Sequence, residues 1–169
     1  MALVGNKAPS WKGTVYDNGE QKKLSSHELA GSWYVLFFWP FNFTGICNSE
    51  VTGFEALASE FKELGVALIG SSCDTFHSHK KWFASDDFTT PPSFPIIADH
   101  KHQVSKRFKV YSKNIGCAYR STFLVNPEGI VMSASTNFLS VARDPQDVLT
   151  TTKAFLSGSG CTVDQRRSL

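Results

Sequence analysis

The segment Trp33-Tyr34-Val35-Leu36-Phe37-Phe38 is an almost unbroken apolar and aromatic run, and it leaves the chain few ways to fold. A strand that is apolar on both faces has to lie inside a sheet that is covered above and below. Pro40 ends the run. Beyond it, Val51, Phe54, Leu57, Ala58, Phe61 and Leu64 recur at helical spacing on one face, with Gly65 as a natural stop. The local unit is therefore a buried strand, a short loop and an amphipathic helix. Cys47 falls in or beside the first turn of that helix, where free backbone N–H groups and the positive end of the helix dipole favour a thiolate over a thiol. The competing reading is a buried structural cysteine, since free cysteine is among the most buried residue types.

At 169 residues, 41% hydrophobic and 13% aromatic, the chain can bury a substantial core without disulfides or a metal. It reads as one domain over residues 1–156 followed by a tail, 157–169. A net charge of +2 with scattered Lys and Arg argues against nucleic acid, and Lys106-Arg107-Phe108-Lys109 reads as a solvated helix face. No apolar run approaches the ~20 residues that span a bilayer. Met1-Ala2-Leu3-Val4-Gly5 lacks the basic and apolar regions of a signal peptide, so no membrane partner is expected and the cytoplasm is the expected compartment. Cys47, Cys73, Cys117 and Cys161 form no C-x-x-C pair and have no histidine at zinc-ligand spacing. They are expected to be mostly reduced at rest. His77 and His79, at the start of a short helix expected over 76–83, read as surface or capping histidines.

Strands and helices alternate along the rest of the chain. Asp17-Asn18-Gly19 is a hairpin signal between Thr14-Val15-Tyr16 and a stretch ending at Leu24. A short helix over 26–29 precedes the buried strand. Strands follow at Val66-Ala67-Leu68-Ile69-Gly70 and Ile96-Ile97-Ala98, with a proline-rich loop over 89–95 between them and a helix over 101–108 after them. Ser121 to Val125 and Ile130 to Ala134 flank Asn126-Pro127-Glu128-Gly129 as a second hairpin, and a last helix covers 145–156. This order predicts an α/β fold with a mixed central sheet flanked by helices.

Two further features bear on chemistry. Ser157-Gly158-Ser159-Gly160 is a flexible tether by composition, and it delivers Cys161 close to the end of the chain, where the thiol could meet another sulfur or be incidental. Arg120, entering a core strand, is costly there unless its charge has a partner. That partner is either a thiolate or polar substrate, or water at the sheet edge.

With these residues in place the chain resembles the peroxiredoxins, most closely alkyl hydroperoxide reductase C and the typical two-cysteine group. Pro40, Thr44 and Cys47 stand at the spacing of the P-x-x-x-T-x-x-C motif, and Glu50 matches the glutamate three residues beyond the reactive cysteine. Arg120 matches the active-site arginine, Arg143 resembles the second arginine that pairs with that glutamate, and Cys161 falls where a resolving cysteine is expected. The resemblance runs from about Gly5 to Cys161.

It implies a thioredoxin-like fold and a thiol peroxidase that uses no cofactor and no metal. Cys47 would be the peroxidatic thiolate, giving a sulfenic acid with hydrogen peroxide or an organic hydroperoxide. Cys161 would resolve it to a disulfide, and a dithiol protein, thioredoxin-like or a dedicated reductase, would reopen that bond. Thiolate formation alone is too weak an effect. Raising a thiol's ionised fraction at pH 7 from roughly 3% to roughly 90% gains only about thirtyfold, and nucleophilicity falls over the same range. Positioning and charge stabilisation at the breaking O–O bond must supply the rest. The resemblance assigns those hydrogen bonds to Thr44 and Arg120, shielding to Pro40, and the anchoring of Arg120 to Glu50 and Arg143. It also implies a homodimer with the two cysteines on different subunits, and a ring of dimers.

The chain departs from the family pattern in places. Asn48-Ser49 replaces the usual Pro-Thr, the Gly-Gly-Leu-Gly pattern is missing from the loop over 86–94, and there is no Tyr-Phe tail. The last two absences imply a comparatively robust enzyme. The short tail leaves Cys73 and Cys117 as substitute resolving thiols, although both read as buried and inert. A thioredoxin-like reductase would need a second cysteine where Glu50 stands, and a cysteine phosphatase would need an arginine within 48–53. The remaining alternative is a redox sensor or holdase-like assembly on the same scaffold with little turnover.

Overall fold

The computed structural model describes residues 3–158; Cys161 lies outside them. The N-terminal hairpin pairs β1 (Lys12–Asp17) with β2 (Glu20–Ser25), and the turn residues Asn18 and Gly19 both take positive φ, +49° and +85°. That is the two-residue turn whose twist matches the flanking strands. A single 3₁₀ turn, Ser26–Leu29, leads into β3 (Trp33–Phe38), which is buried from its second residue onward.

Helices α1 (Gly45–Ala56) and α2 (Ala58–Glu63) follow. The expected single helix is thus broken at Leu57, where φ −103° and ψ 0° leave the α region and the N–H turns to Glu55 and Phe54 carbonyls. Gly65 ends α2 at φ +71°, as its position suggested. Next come β4 (Val66–Ser72), α3 (Phe76–Phe83), β5 (Ile96–Ala98) and α4 (Gln103–Arg107). The last of these starts later than the spacing implied. His102 sits at φ +57°, and the Asp99 carboxylate accepts from the N–H groups of Val104 and Ser105 to define the new start.

A small ladder of β6 (Tyr111–Ser112) and β7 (Cys117–Ala118) is too short to leave a sequence pattern and was not expected. Finally β8 (Arg120–Val125) pairs with β9 (Val131–Asn137), and α5 (Pro145–Ser157) begins with Asp144 accepting from Gln146 N–H at 2.8 Å.

The seven-stranded sheet runs β2-β1-β5-β4-β3-β8-β9, parallel between β3, β4 and β5 and antiparallel elsewhere. It is the mixed α/β sheet of a thioredoxin-like fold. β3 sits between β4 and β8, so its apolar faces feed two cores. Val35, Phe37 and Trp39 pack with Phe54, Phe61, Trp82 and Phe83 on one side, and Leu36 and Phe38 with Phe108 and Phe123 on the other.

Two close approaches set the position of the segments around Cys47. A Cβ at Gly70 would fall 2.7 Å from the Trp39 ring, and one at Gly53 would fall 2.9 Å from Pro145. Glycine lets the Trp39 ring approach β4 and lets α1 seat on the start of α5. No helix among the described residues is long and apolar enough to cross a membrane.

One of the two histidines of α3 is neither the surface nor the capping residue that the sequence suggests. His77 is exposed, but His79 is completely buried, with its ring stacked on Phe83, and the cap of α3 is Thr75. The side chain one turn into α3 faces the core, which a lone histidine in a polar stretch does not reveal.

Candidate active site

The site is assembled where β3 ends. Residues 39–44 leave the strand, Phe43 takes a left-handed φ of +58°, and Thr44 becomes the N-cap of α1 with extended backbone angles. The first intrahelical bond runs from Asn48 N–H to Thr44 O at 2.9 Å. The N–H groups of Gly45, Ile46 and Cys47 therefore lie ahead of it, as the free first-turn donors of a helix do. Cys47 is the third helical residue, and its side chain is 1% exposed.

Three elements converge on that sulfur. Arg120, the first residue of β8, donates from Nη1 to Cys47 Sγ at 3.3 Å and to Glu50 Oε2 at 2.8 Å, while its Nε donates to Leu139 O at 2.8 Å. The guanidinium is thus locked from three directions. Glu50, one turn beyond Cys47 on α1, also accepts at Oε2 from Arg143 Nη2 at 3.2 Å and at Oε1 from Arg143 N–H at 2.8 Å. Arg143 in turn donates from Nη1 to Ser121 O and Thr122 Oγ1, and from Nη2 to Phe38 O. Its guanidinium carbon lies 5.4 Å from the Phe37 ring centre, over the π face.

The three charged side chains are each no more than 5% exposed. Such a cluster survives burial because one carboxylate is shared by two guanidinium groups that also donate to Leu139 O, Ser121 O, Thr122 Oγ1 and Phe38 O, although the Arg143 Nε–H is buried without a hydrogen-bond partner among the described residues. Burial pushes Arg143 below its ordinary value, and Glu50 pulls it back up.

Of the residues singled out in the sequence, the structure brings Cys47, Glu50, Arg120 and Arg143 into one hydrogen-bonded group. Pro40 is buried at the base of the loop. The exposed Thr44 directs its hydroxyl to Phe41 O at 3.2 Å. Cys117 is fully buried and Cys73 partly so. Burial pushes the Cys73 thiol up to about 12 and the Cys117 thiol to about 11, so both stay protonated near neutrality. Asn48 explains part of the departure from Pro-Thr, since its amide donates to Asp87 O at 2.9 Å and ties the start of α1 to the loop after α3. Ser49 Oγ donates to Ile46 O at 2.8 Å within the same turn.

A second polar group escaped the sequence reading. Asn42 is 6% exposed; its Oδ1 accepts from Trp39 Nε1 at 3.0 Å, and its Nδ2 donates to Ser78 Oγ and His79 Nδ1, each at 3.0 Å. The Trp39 bond fixes which end of the amide is oxygen, so His79 Nδ1 is an acceptor and its proton sits on Nε2. Ser78 Oγ in turn donates to Asp74 Oδ1 at 3.0 Å, and the spacing of Asp74 and Ser78, four apart, is the one weak sequence trace of this group.

Burial pushes His79 down to about 4, with Asp74 opposing in part. Between about pH 6.5 and 4 the unfolded chain takes up a proton there that the folded chain does not, so stability falls as pH falls through that window. The loss should approach about 3 kcal/mol. Urea unfolding at pH 7 and pH 4.5 checks this. His79→Gln, which does not titrate, should lose less over the interval, and equal losses would refute the assignment.

Residues 4–134 match the model of the AhpC/TSA family. The chain is 36% identical over 159 residues to peroxiredoxin 1 of Brugia malayi, covering 89% of this chain and 67% of that protein. It is 34% identical over 167 residues to a putative peroxiredoxin in the rubredoxin operon of Clostridium pasteurianum, covering 96% and 94%. The crystal structure of AhpC from Enterococcus faecalis superposes with a TM-score of 0.89 at 26% identity, covering 94% of this chain and 95% of that one.

Proposed function

The chain belongs to the AhpC/TSA family and is a peroxiredoxin, a thiol peroxidase, and from that premise we propose that Cys47 is its peroxidatic cysteine, acting on hydrogen peroxide and organic hydroperoxides. The observation that carries this reading is the bond from Arg120 Nη1 to Cys47 Sγ, made by a guanidinium that Glu50 and Leu139 O hold in place.

The Cys47 thiolate attacks one peroxide oxygen, the O–O bond breaks, and sulfur is oxidised by two electrons to a sulfenic acid. The other oxygen departs with the electron pair and takes up a proton as water or alcohol. Arg120, already within reach of sulfur, donates to the oxygen on which negative charge develops, while the Thr44 hydroxyl oxygen accepts from the O–H of the incoming hydroperoxide and orients it. Glu50 and Arg143 keep Arg120 aimed, and Pro40 shields the sulfur.

Cys161 then condenses with the sulfenic acid, releasing water and leaving a disulfide that a dithiol protein reduces. The assignment is supported by the state of the other thiols, since Cys73 and Cys117 are held as poorly nucleophilic thiols. A homodimer is supported by the outer edge of β9 and by the exposed Phe41, Phe43, Phe138 and Val141, side chains that a partner copy would cover. A ring of such dimers and a cytoplasmic location complete the reading.

A non-reducing gel with mass spectrometry tests it. Peroxide-treated protein should run as a covalent dimer that neither Cys47→Ser nor Cys161→Ser forms, with Cys161→Ser accumulating oxidised Cys47. A covalent dimer that persists in Cys161→Ser would move the resolving role to Cys73 or Cys117. Steady-state turnover with a dithiol protein separates an enzyme from a sensor, which would form the disulfide yet recycle poorly.

A further inference from the structure

Resting on the peroxidase reading of Cys47, we propose that Asp74 is a positioning residue for Thr44, acting through the single peptide unit between Phe41 and Asn42. The carbonyl of that unit, Phe41 O, accepts from Thr44 Oγ1 at 3.2 Å. Its N–H, on Asn42, donates to Asp74 Oδ2 at 3.0 Å. Because a peptide is planar, whatever fixes the direction of the N–H fixes the direction of the C=O opposite it. A carboxylate after β4 therefore sets the acceptor to which the Thr44 hydroxyl is tied.

The carboxylate is itself held on both oxygens. Oδ2 accepts from Ser72 Oγ at 2.9 Å, Oδ1 accepts from Ser78 Oγ at 3.0 Å, and Asp74 N–H donates to Ser72 Oγ at 3.1 Å. The Asn42 side chain braces the same peptide from the other direction through Trp39, Ser78 and His79. Ser78 joins the two halves, accepting from Asn42 Nδ2 and donating to Asp74 Oδ1. This bracing has something to resist: Phe43, the next residue, holds a left-handed φ of +58° that a bulky side chain rarely adopts.

The consequence for chemistry lies in helix-cap geometry. Thr44 is the N-cap and Cys47 is N3, the two positions whose side chains meet at a helix start. A threonine hydroxyl swings between staggered rotamers, and only some of them direct it across the sulfur. Donating its proton to Phe41 O selects one rotamer and leaves the oxygen lone pairs open to the O–H of an approaching hydroperoxide. Asp74 touches neither sulfur nor substrate, and it acts by choosing that rotamer.

A double-mutant cycle tests this. Cys47 oxidation by hydrogen peroxide and Cys47 alkylation by iodoacetamide are each followed in the full chain for wild type, Asp74→Ala, Thr44→Val and the double variant. Asp74→Ala should slow peroxide oxidation by about ten- to hundredfold while alkylation changes by less than about twofold, because substrate geometry is lost and the thiolate is not. In the Thr44→Val background, Asp74→Ala should add nothing further. Asp74→Asn, which keeps an oxygen for the Asn42 N–H, should recover most of the rate. Should Asp74→Ala fail to fold by circular dichroism, Asn42→Ala takes its place in the same cycle with the same expected non-additivity. Losses that multiply between the two sites, an unchanged peroxide rate, or alkylation falling in parallel would each overturn the inference. A wild-type chain whose Cys47 does not react with peroxide would overturn the peroxidase reading itself, a result distinct from a failed cycle.

Discussion

Replacing Arg120 with methionine is expected to lower the second-order rate of Cys47 oxidation by hydrogen peroxide by about two to three orders of magnitude, the cost of losing one preorganised donor at a developing charge. The fold should survive. Glu50 keeps Arg143 as an ionic partner through both Nη2 and the backbone N–H, so removing Arg120 does not strand the carboxylate. Methionine also fills much of the vacated volume.

The size of the loss separates two roles for the guanidinium. If Arg120 served only to favour the thiolate, peroxide oxidation and iodoacetamide alkylation would fall together, and by no more than about thirtyfold. If it also stabilises the breaking O–O bond, the peroxide rate falls much further than the alkylation rate. Stopped-flow oxidation and timed alkylation measure the two, and parallel losses would sink the second role. Arg120→Lys should restore little. A lysine ammonium has no planar fork with which to reach Sγ, Glu50 Oε2 and Leu139 O at once.

The second large effect is on stability. Glu50→Gln should cost about 3–5 kcal/mol, read as the change in unfolding free energy in urea at pH 7. The carboxylate uses Oε1 for the Arg143 N–H and Oε2 for both guanidinium groups. A glutamine has only one oxygen, so either the backbone N–H or the two cations must face an NH₂ donor. It also removes the charge that balances two buried guanidinium groups, Arg120 and Arg143, neither more than 5% exposed. The surviving bonds from Arg143 to Ser121 O, Thr122 Oγ1 and Phe38 O are to neutral groups and offset only part of this. A Glu50→Gln variant within about 1 kcal/mol of wild type would mean that the cluster is better solvated than its burial indicates. Peroxide reactivity should fall with stability, because Arg120 loses the partner that aims it.

The comparison of sequence with structure turns on the range over which each interaction acts. The aromatic run of β3, the stop at Pro40, the Asn18-Gly19 turn, the extent of α3 and the proline start of α5 were all legible, because each reports the backbone preferences of its own neighbourhood. So was Cys47 in a first helical turn. The break between α1 and α2 was not, since Leu57 keeps the apolar spacing while leaving the helix. The β6–β7 ladder has only two residues on each side. The grouping of Glu50 with Arg120 and Arg143 came from resemblance to a family and not from any pattern in the chain, for the partners are 70 and 93 residues apart.

What the sequence determined by itself was therefore local: a strand apolar on both faces, which obliges a covered sheet, and a cysteine at the helix start beyond it. Tertiary structure decided everything that depends on strand order. Placing β3 between β4 and β8 brings Arg120 from one neighbour to the sulfur and Asp74 from the other to the loop before it. Single residues such as Asp74, Asn42 and His79 carry no periodic signal, because a buried hydrogen bond constrains two positions in space and leaves the chain between them free.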